Sequence, residues 1–235
     1  MNDVSFLIKT LDRPNCLSRL LESVAARYPG VPAVIVDDSP RPYAQDMLEQ
    51  RFAGQPFTAH HLPADQGASA GRNHGLEHIE TPYFVLLDDD HAMRPDGSVE
   101  RMREAISPGD WDLVGGAYVE YDRQGRPYVH RWEGWLDRID TFLICRRLAS
   151  NGGLTPCDIV NNFFIARTDA ILALGGWDAD LKTVEHVDFF LRGKAQNLRV
   201  AHLLGALVDH FPRRTPNYNR YRTQTVSRSH SRLSR

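Results

Sequence analysis

Apolar runs and amphipathic stretches alternate along the first ninety residues of the chain. The pattern predicts four buried strands, at 4–8, 33–36, 57–62 and 83–87. It predicts three helices between them, at 43–52, at 70–79 and from Pro14 onward. Strands that alternate with helices in this way are typical of a parallel sheet covered on both faces.

The second half of the chain has a different pattern. Three strands are predicted there, at 111–121, 159–166 and 198–208, and a hairpin turn at 122–125 leads into a return over 127–132. Helices are predicted from Thr168 to the Gly175–Gly176 pair and over 185–196. Residues 133–157 favour no assignment. Since no repeat or linker divides the chain, both halves are expected to share one continuous sheet.

Composition narrows the class of protein. The chain has 235 residues, 42% of them hydrophobic, and its formal net charge of −2 argues against a dedicated nucleic-acid binder. Its three cysteines (Cys16, Cys145 and Cys157) fit no zinc spacing and favour a reducing compartment. The sequence shows no signal peptide and no apolar run of the roughly 18 residues that a membrane span requires. These features predict a soluble, cytoplasmic protein.

The charge is uneven at the C-terminal end. From Arg213 onward the chain carries seven arginines and no acidic residue. Such a segment can contact phosphates or an anionic membrane, and it can equally be a solvated terminus. The most that it predicts is a peripheral contact with the inner face of the membrane.

Polar side chains follow three of the predicted strands. They lie at Thr10–Arg13, at Asp37–Asp38 and at Asp88–Asp90. Because ligands bind beyond the carboxyl ends of parallel strands, we expect all three groups in one crevice. In an extended segment, Asp88 and Asp90 face the same way and Asp89 points elsewhere, in a structural role. Two convergent carboxylates favour Mg²⁺ or Mn²⁺ with open positions for substrate phosphates, and a solvated acidic turn is the alternative.

Two further segments carry candidate chemistry. Residues 66–73, QGASAGRN, lead into a helix with small residues, and Arg72 is placed to meet a phosphate. Glu185 and Asp188 share one face of the last predicted helix, and His186 can accept a proton near neutral pH. An acidic first turn that satisfies the helix dipole is the alternative for this second segment.

Several sequence blocks occur in the order in which a known family has them. They are VIVDDSP, GASAGRNHGLEHIETPYFVLLDDDHAM, DLVGGA, IVNNFFIARTD, GWDADLKTVEHVDFFL, LVDHF and YNRYR. Together they resemble the family 2 type of GT-A glycosyltransferases. The blocks of the second half are similar to the catalytic domain of β-1,4-N-acetylgalactosaminyltransferases of the GM2/GD2 synthase type. The resemblance covers nearly the whole chain.

The resemblance implies an α/β fold with a Rossmann-like, mostly parallel mixed sheet in one continuous domain. Residues 1–115 would form the nucleotide-sugar-binding half, 116–212 the acceptor-binding and catalytic half, and 213–235 a basic tail. It also implies a metal-dependent, inverting transfer of a sugar, GalNAc or a related hexose, from a UDP-sugar to a hydroxyl. The acceptor would be a glycan, a lipid-linked molecule or a small molecule. Without the anchor and stem of eukaryotic relatives, the chain is expected to be a bacterial cytoplasmic enzyme.

The resemblance also implies roles for single residues. Asp88 and Asp90 would hold Mn²⁺ or Mg²⁺, Asp88 would help bind the ribose, and His210 rather than His91 would complete the metal site. Nucleotide binding is implied for Thr10, Arg13, Asp37, Asp38 and Arg72, with Asp38 favoured for the uracil edge.

The segment EHVDFFLR resembles the family 2 motif that carries the catalytic base. This chain has His186 where many members have aspartate, so Glu185, His186 and Asp188 all stay open as the base. Trp177 is expected to stack on an acceptor sugar, as are Trp132 and Trp135, with core packing as the alternative.

Two other functions compete with the glycosyltransferase. A nucleotidyltransferase would need a glycine-rich loop with Arg and Lys directly after the first strand, and IKTLDRPN lacks one. A non-catalytic module that binds a nucleotide sugar would keep Asp88 and Asp90 and show no turnover. The unusual His186 keeps this second alternative open.

Overall fold

The structure is a computed structural model that describes residues 1–139, 142–147, 153–182 and 184–212. The basic segment 213–235, and with it the predicted contact with phosphates or a membrane, lies outside the described residues. Among the described helices, none combines the length and the apolar character that crossing a bilayer demands.

Six helices and twelve strands form within the described ranges. The helices are α1 (Pro14–Arg27), α2 (Ala44–Arg51), α3 (Ala68–Leu76), α4 (Ser98–Ile106), α5 (Thr168–Ala173) and α6 (Glu185–Ala195). The strands are β1 (Val4–Thr10), β2 (Ala33–Asp37), β3 (Phe57–His61), β4 (Tyr83–Asp88), β5 (His91–Ala92), β6 (Leu113–Tyr121), β7 (Pro127–His130), β8 (Gly134–Ile139), β9 (Phe142–Arg147), β10 (Leu154–Cys157), β11 (Phe164–Arg167) and β12 (Val200–His210).

One sheet joins the two halves of the chain. Its order is β10-β12-β6-β11-β4-β1-β2-β3, with β5 paired to β12 and β7 to β6, while β8 and β9 form a separate hairpin. Strands β3, β2, β1 and β4 are parallel, as are β6 and β12, and β11 runs antiparallel between β4 and β6. The predicted mixed, mostly parallel sheet in a single domain is therefore confirmed.

Apolar side chains of the central strands divide between the two faces of the sheet. Phe6 and Ile8 pack on the face that α1, α2 and α4 cover, whereas Leu7 between them packs on the face of α3, α5 and α6. All three side chains are fully buried. Because successive residues of a strand point to opposite faces, a strand buried on both sides must be apolar throughout. This explains the uninterrupted apolar run at the start of the chain.

Some elements differ from the sequence prediction. Helix α4 was not predicted, although Val99, Met102 and Ile106 lie on one helical face and are fully buried. Strand β11 begins at Phe164, five residues later than predicted. The unassigned region 133–157 contains β8, β9 and β10; the first two form a hairpin with each other, and Gly134 of β8 also bridges to Ile159. Short strands of this kind carry little periodic signal.

Helix α3 lies unusually close to the sheet at Gly75. A Cβ atom on Gly75 would stand 2.3 Å from Leu7 Cδ1 and 3.1 Å from Val36 Cγ2, and both side chains are fully buried. We expect Gly75→Ala to lower the free energy of unfolding by about 1–3 kcal/mol, because a packed core resists an added methyl group. Denaturant titration measures the change. Gly193→Ala in α6 is the matched control. A Cβ atom on Gly193 would stand 3.0 Å from its nearest neighbour, Leu198 Cδ2, and so would overlap much less than one on Gly75. Equal losses for both variants would contradict the close approach of α3.

Candidate active site

The carboxyl ends of neighbouring strands bring the predicted polar groups together. In the strand pairing, Thr10 lies opposite Asp37 and Lys9 lies opposite Asp88. The hydroxyl of Thr10 donates a 2.6 Å hydrogen bond to the carboxylate of Asp89. The three polar groups that follow β1, β2 and β4 therefore meet at one edge of the sheet, as predicted.

Arg13, directly before α1, neutralises two of the three adjacent carboxylates. Its Nη1 atom donates to Asp90 Oδ2 at 2.7 Å, its Nε donates to Asp89 Oδ2 at 3.2 Å, and its Nη2 also pairs with Asp89. The side chain of Asp89 is fully buried and that of Arg13 is 9% exposed. Burial raises the pKa of Asp89, and the Arg13 guanidinium opposes this shift. These contacts fit the structural role predicted for Asp89.

Arg72, from α3, pairs with the third carboxylate of the triplet. Its Nη2 lies 3.0 Å from Asp88 Oδ1 and its Nη1 lies 3.3 Å from Glu185 Oε1. Burial raises the pKa of Asp88, but Arg72 and then His91 outweigh it, so the pKa is lowered overall. Arg13 and Arg72 thus neutralise part of the negative charge of the three carboxylates without a metal ion.

The pair Asp37–Asp38 is buried and holds the surrounding loops. Asp37 accepts hydrogen bonds from the backbone N–H groups of Ser39, Tyr43 and Ala44, and so fixes the start of α2. Asp38 pairs with Lys9 at 2.7 Å and accepts the N–H of Gly67, just before α3, at 3.0 Å. Both carboxylates therefore bind the protein's own groups in this structure. The implied role of Asp38 at a uracil edge stays a prediction.

The last strand places His210 beside the acidic triplet, Asp88–Asp90. Strand β12 pairs with β5 so that His210 lies opposite His91, and the N–H of Phe211 donates to the carbonyl of Asp90 at 2.9 Å. One potential ligand atom each from Asp90, His91 and His210 lie within 4.8 Å of one another. The structure therefore places His210 beside Asp90, as the sequence predicted, and adds His91 to the group.

The two histidines are oriented differently. His210 Nδ1 bonds to Glu120 Oε1 at 2.8 Å, which leaves its Nε2 facing Asp90 Oδ1 at 3.5 Å. A carboxylate on the far ring nitrogen is the usual partner of a metal-binding histidine. His91 Nδ1 instead accepts the backbone N–H of Asp88 at 3.2 Å, so the proton of the neutral ring lies on Nε2. Asp90 and His210 thus fit a divalent metal, while His91 lacks a free lone pair in this orientation.

Asn162 links the acidic triplet to His186. Its side-chain carbonyl lies 2.6 Å from His186 Nδ1, and its amide nitrogen donates to Asp88 Oδ2 at 3.4 Å. A carbonyl at Nδ1 fixes the proton on that nitrogen and leaves the lone pair on Nε2. Nε2 is buried, and no described residue forms a hydrogen bond of normal geometry with it. The carbonyl of Val160 raises the pKa of the ring, but its effect is smaller than those of burial and Arg72. Burial, and next the charge of Arg72, lower the pKa of His186 to about 3, so the ring is neutral.

The other two candidates for the base have strong partners. Asp188 pairs with Arg192, one turn further along α6, at 2.8 Å. Arg192 in turn donates to the carbonyl of Gly176 at 2.8 Å, which ties α6 to the preceding loop. Glu185 pairs with Arg72. His186 is therefore the candidate that keeps a nitrogen lone pair without a cationic partner.

Trp177 does not lie where a sugar could stack on it. Its side chain is 2% exposed, and its ring stacks on Phe189 with centroids 4.8 Å apart. This burial does not fit the predicted contact with an acceptor, because the core already covers the indole. Trp132 and Trp135 are 38% and 40% exposed, and the ring of Trp132 packs 4.7 Å from that of His186.

Sequence reasoning missed three residues of the site. Asn162, Glu120 and Tyr43 were not singled out, although Tyr43 bonds to Thr10 at 2.5 Å. Only the pair Asn161–Asn162, polar residues directly before the apolar β11, gave a signal that could have been used. The other two lie in ordinary sequence and become recognisable only through their contacts.

Comparisons with known proteins fit this geometry. The chain is 34% identical over 215 residues to human beta-1,4 N-acetylgalactosaminyltransferase 1, covering 88% of this chain and 38% of the relative. It is 28% identical over 248 residues to mouse beta-1,4 N-acetylgalactosaminyltransferase 2, covering 96% and 44%. The chain thus spans less than half the length of these curated relatives.

Solved structures and a family model give the broader assignment. The crystal structure of S. aureus TarS 1-349 in complex with UDP-GlcNAc matches with a TM-score of 0.68 at 15% identity, over 92% of this chain and 60% of that one. At this identity the likeness concerns the fold, and it confirms the predicted GT-A-like architecture. The model described as Glycosyl transferase family 2 matches residues 5–170. Since this match spans more than half of the chain, the protein belongs to glycosyl transferase family 2.

Proposed function

We propose that the chain is a metal-dependent, inverting glycosyltransferase that moves a sugar from a UDP-sugar to an acceptor hydroxyl. The observation that carries the proposal is one site in which two arginines, a carboxylate–histidine pair and the neutral His186 meet. The names of the relatives favour GalNAc as the sugar. The complex of TarS with UDP-GlcNAc favours UDP as the carrier. The acceptor is a glycan, a lipid-linked molecule or a small molecule.

The donor's diphosphate would bind where Arg13 and Arg72 surround the acidic triplet. Both guanidinium groups can donate charge-assisted hydrogen bonds to phosphate oxygens. Asp90 and His210 would hold Mn²⁺ or Mg²⁺. Asp88, which the resemblance also implies as a metal ligand, pairs with Arg72 and would help bind the ribose. The ion, when bound, would neutralise charge on the departing diphosphate. Thr10 and Asp38 would complete the nucleotide pocket.

His186 would act as the base. Its neutral Nε2 is the form that accepts the proton of the acceptor hydroxyl, while Asn162 holds Nδ1. Arg72 is one cause of the lowered pKa of His186. A diphosphate bound at Arg72 would offset that positive charge and make the ring more basic when the donor is in place. Trp132, packed on the His186 ring, would support the acceptor sugar.

The decisive experiment is a panel of nucleotide sugars with Mn²⁺ or Mg²⁺, scored for transfer and for nucleotide release. The wild type should turn over a UDP-sugar only with metal. Asp90→Ala should lose at least about 100-fold in rate, because it would lose the metal ion that stabilises charge on the departing diphosphate. Metal-dependent binding without turnover would instead identify a non-catalytic binding module. Failure of every nucleotide sugar to bind would reject the proposal.

The orientation of the two histidines gives a separate prediction. His210→Ala should weaken metal-dependent UDP binding by about 10–100-fold. Loss of a group that merely supports a metal ligand lowers metal affinity by that much, so loss of a ligand should cost no less. His91→Ala should weaken it less, since His91 Nδ1 is occupied by the N–H of Asp88. Calorimetric titration of UDP with and without Mn²⁺ separates the two effects. A larger loss for His91→Ala would show that the wrong histidine has been assigned to the metal.

A further inference from the structure

Three histidines lie together on the side of the domain where the edge strand β3 meets α3. His60 comes from β3, His74 from α3, and His78 from the turn that follows α3. The ring centroids are 4.0 Å apart for His60 and His78, 4.7 Å for His74 and His78, and 5.3 Å for His60 and His74. We call this group the three-histidine cluster.

The local structure explains how the cluster forms. Alternation along β3 turns Ala59 toward the face of α1 and α2, whereas Leu62 packs with the opposite face, the one that α3 covers. His60 therefore faces α3. There His74 and His78, four residues apart, present their rings on the same side of the helix end.

The three rings of the cluster offer nitrogen atoms as possible metal ligands. Among the hydrogen bonds and ion pairs of the described residues, none joins these three rings to a carboxylate. Within the described ranges, the hydrogen bond of these rings is that of His78 Nδ1 with the carbonyl of His74, at 2.8 Å. Nδ1 donates there, so the Nε2 lone pair of His78 stays free. A backbone carbonyl that fixes the far nitrogen is a usual feature of metal-binding histidines.

We propose that the three-histidine cluster binds a divalent transition-metal ion that prefers imidazole ligands, with Zn²⁺ as the ion to test. One ligand atom from each ring lies within 4.8 Å of the others. Tetrahedral Zn²⁺ with bonds of about 2.0–2.1 Å requires separations of about 3.4 Å, which small rotations of these partly exposed rings can provide. Imidazole suits Zn²⁺, Ni²⁺ and Cu²⁺, whereas the Asp90–His210 pair offers the oxygen that Mn²⁺ prefers.

The position of the cluster supports this site. A bound ion would connect the edge strand to α3. It would thereby steady the intervening loop, in which Leu62 and Asp65 bond through their N–H groups to the carbonyls of Asp37 and Asp38. The ion would be structural and would not touch the reacting groups.

The test is a Zn²⁺ titration of the tag-free chain in an Asp90→Asn background, which disables the other candidate metal group. One equivalent of Zn²⁺ should bind. His74→Gln should weaken binding by at least about 10–100-fold, since loss of a ligand costs no less than loss of its supporting contacts. His61→Gln is the matched control: it changes the neighbouring residue of β3, whose ring bonds to the carbonyl of Asp37, and should leave affinity within about twofold.

A second test combines NMR spectra of the wild type, which do not depend on how a variant folds, with melting temperatures of the wild type and the two variants. Zn²⁺ should shift the imidazole NMR signals of His60, His74 and His78, whatever it does at His210, and it should raise the melting temperature. The increase should vanish in His74→Gln and persist in His61→Gln. Unchanged affinity in His74→Gln, or shifts confined to His91 and His210, would overturn the proposal. Because no step uses a nucleotide sugar, these results are independent of the proposed enzymatic activity.

Discussion

Replacing Arg13 with alanine is expected to lower the free energy of unfolding by about 3–5 kcal/mol. Removal of one partner of a buried ion pair costs this much, because the remaining charge is left without compensation. Here two carboxylates, Asp89 and Asp90, lose their guanidinium at once, and the Asp89 side chain has no exposure to water. Denaturant titration at pH 7 measures the loss.

Arg51→Ala is the matched control for this experiment. Arg51 also pairs with a carboxylate, Glu22, but the two side chains are 50% and 53% exposed. Exposed pairs contribute about 0–1 kcal/mol, so the control should change stability little. A loss for Arg13→Ala no greater than that of Arg51→Ala would show that the acidic triplet does not depend on Arg13.

The loss caused by Arg13→Ala should also depend on pH in a defined direction. Burial raises the pKa of Asp89 above its value of about 3.9 in an unfolded chain. Below that value Asp89 is protonated in both states and needs no guanidinium. As pH rises toward the higher folded pKa, keeping the carboxyl buried becomes more costly. The difference from wild type should therefore be smaller at pH 5 than at pH 7.

Replacing His186 with alanine should lower kcat by about 100- to 10,000-fold while the donor still binds. This range is the usual contribution of a general base. Donor binding should persist, because among the described contacts His186 is linked to the proposed nucleotide site through Asn162 and through the charge of Arg72. Asp188→Asn should reduce kcat far less, because Asp188 pairs with Arg192. Steady-state kinetics with an independent measurement of donor affinity distinguish these outcomes.

Asn162→Ala should lower kcat by about 100-fold, because misplacement of a catalytic group by about 1 Å can have that effect. A greater loss of kcat in Asp188→Asn than in His186→Ala would transfer the role of base to Asp188.

With a pKa near 3 for His186, kcat/KM of the free enzyme should not fall between pH 8 and pH 5 through protonation of this ring.

The crevice was predictable because its signal is local. Each of β1, β2 and β4 is an apolar run that ends in polar residues, and parallel strands must present those ends at one edge. The partners of the carboxylates were not predictable in the same way. Arg13 was expected to bind nucleotide and Asp89 to point away, yet their direct contact depends on how the loop before α1 folds back over β4.

Helix α6 shows the same limit. The spacing of Glu185 and Asp188 places both on one face of the helix. It does not show that each carboxylate forms a salt bridge with an arginine. Nor does it show that Asn162 fixes the proton of His186, since that contact crosses 24 residues of the chain. Trp177 shows a second limit: a tryptophan before the acidic start of α6 fits a sugar-binding surface and the protein core equally well from sequence, and the structure buries it.

The contacts that build the site also carry a consequence for folding. Arg13 and Asp90 are 77 residues apart in the chain, His210 and Glu120 are 90 apart, and Arg72 and Glu185 are 113 apart. Contacts over such separations form only when strands that are distant in the chain have come together in the sheet, and closing them is slow. A collapsed intermediate with correct helices would therefore have no binding site. During refolding, the recovery of donor binding should mark the final assembly of the native chain, after most of its secondary structure has returned.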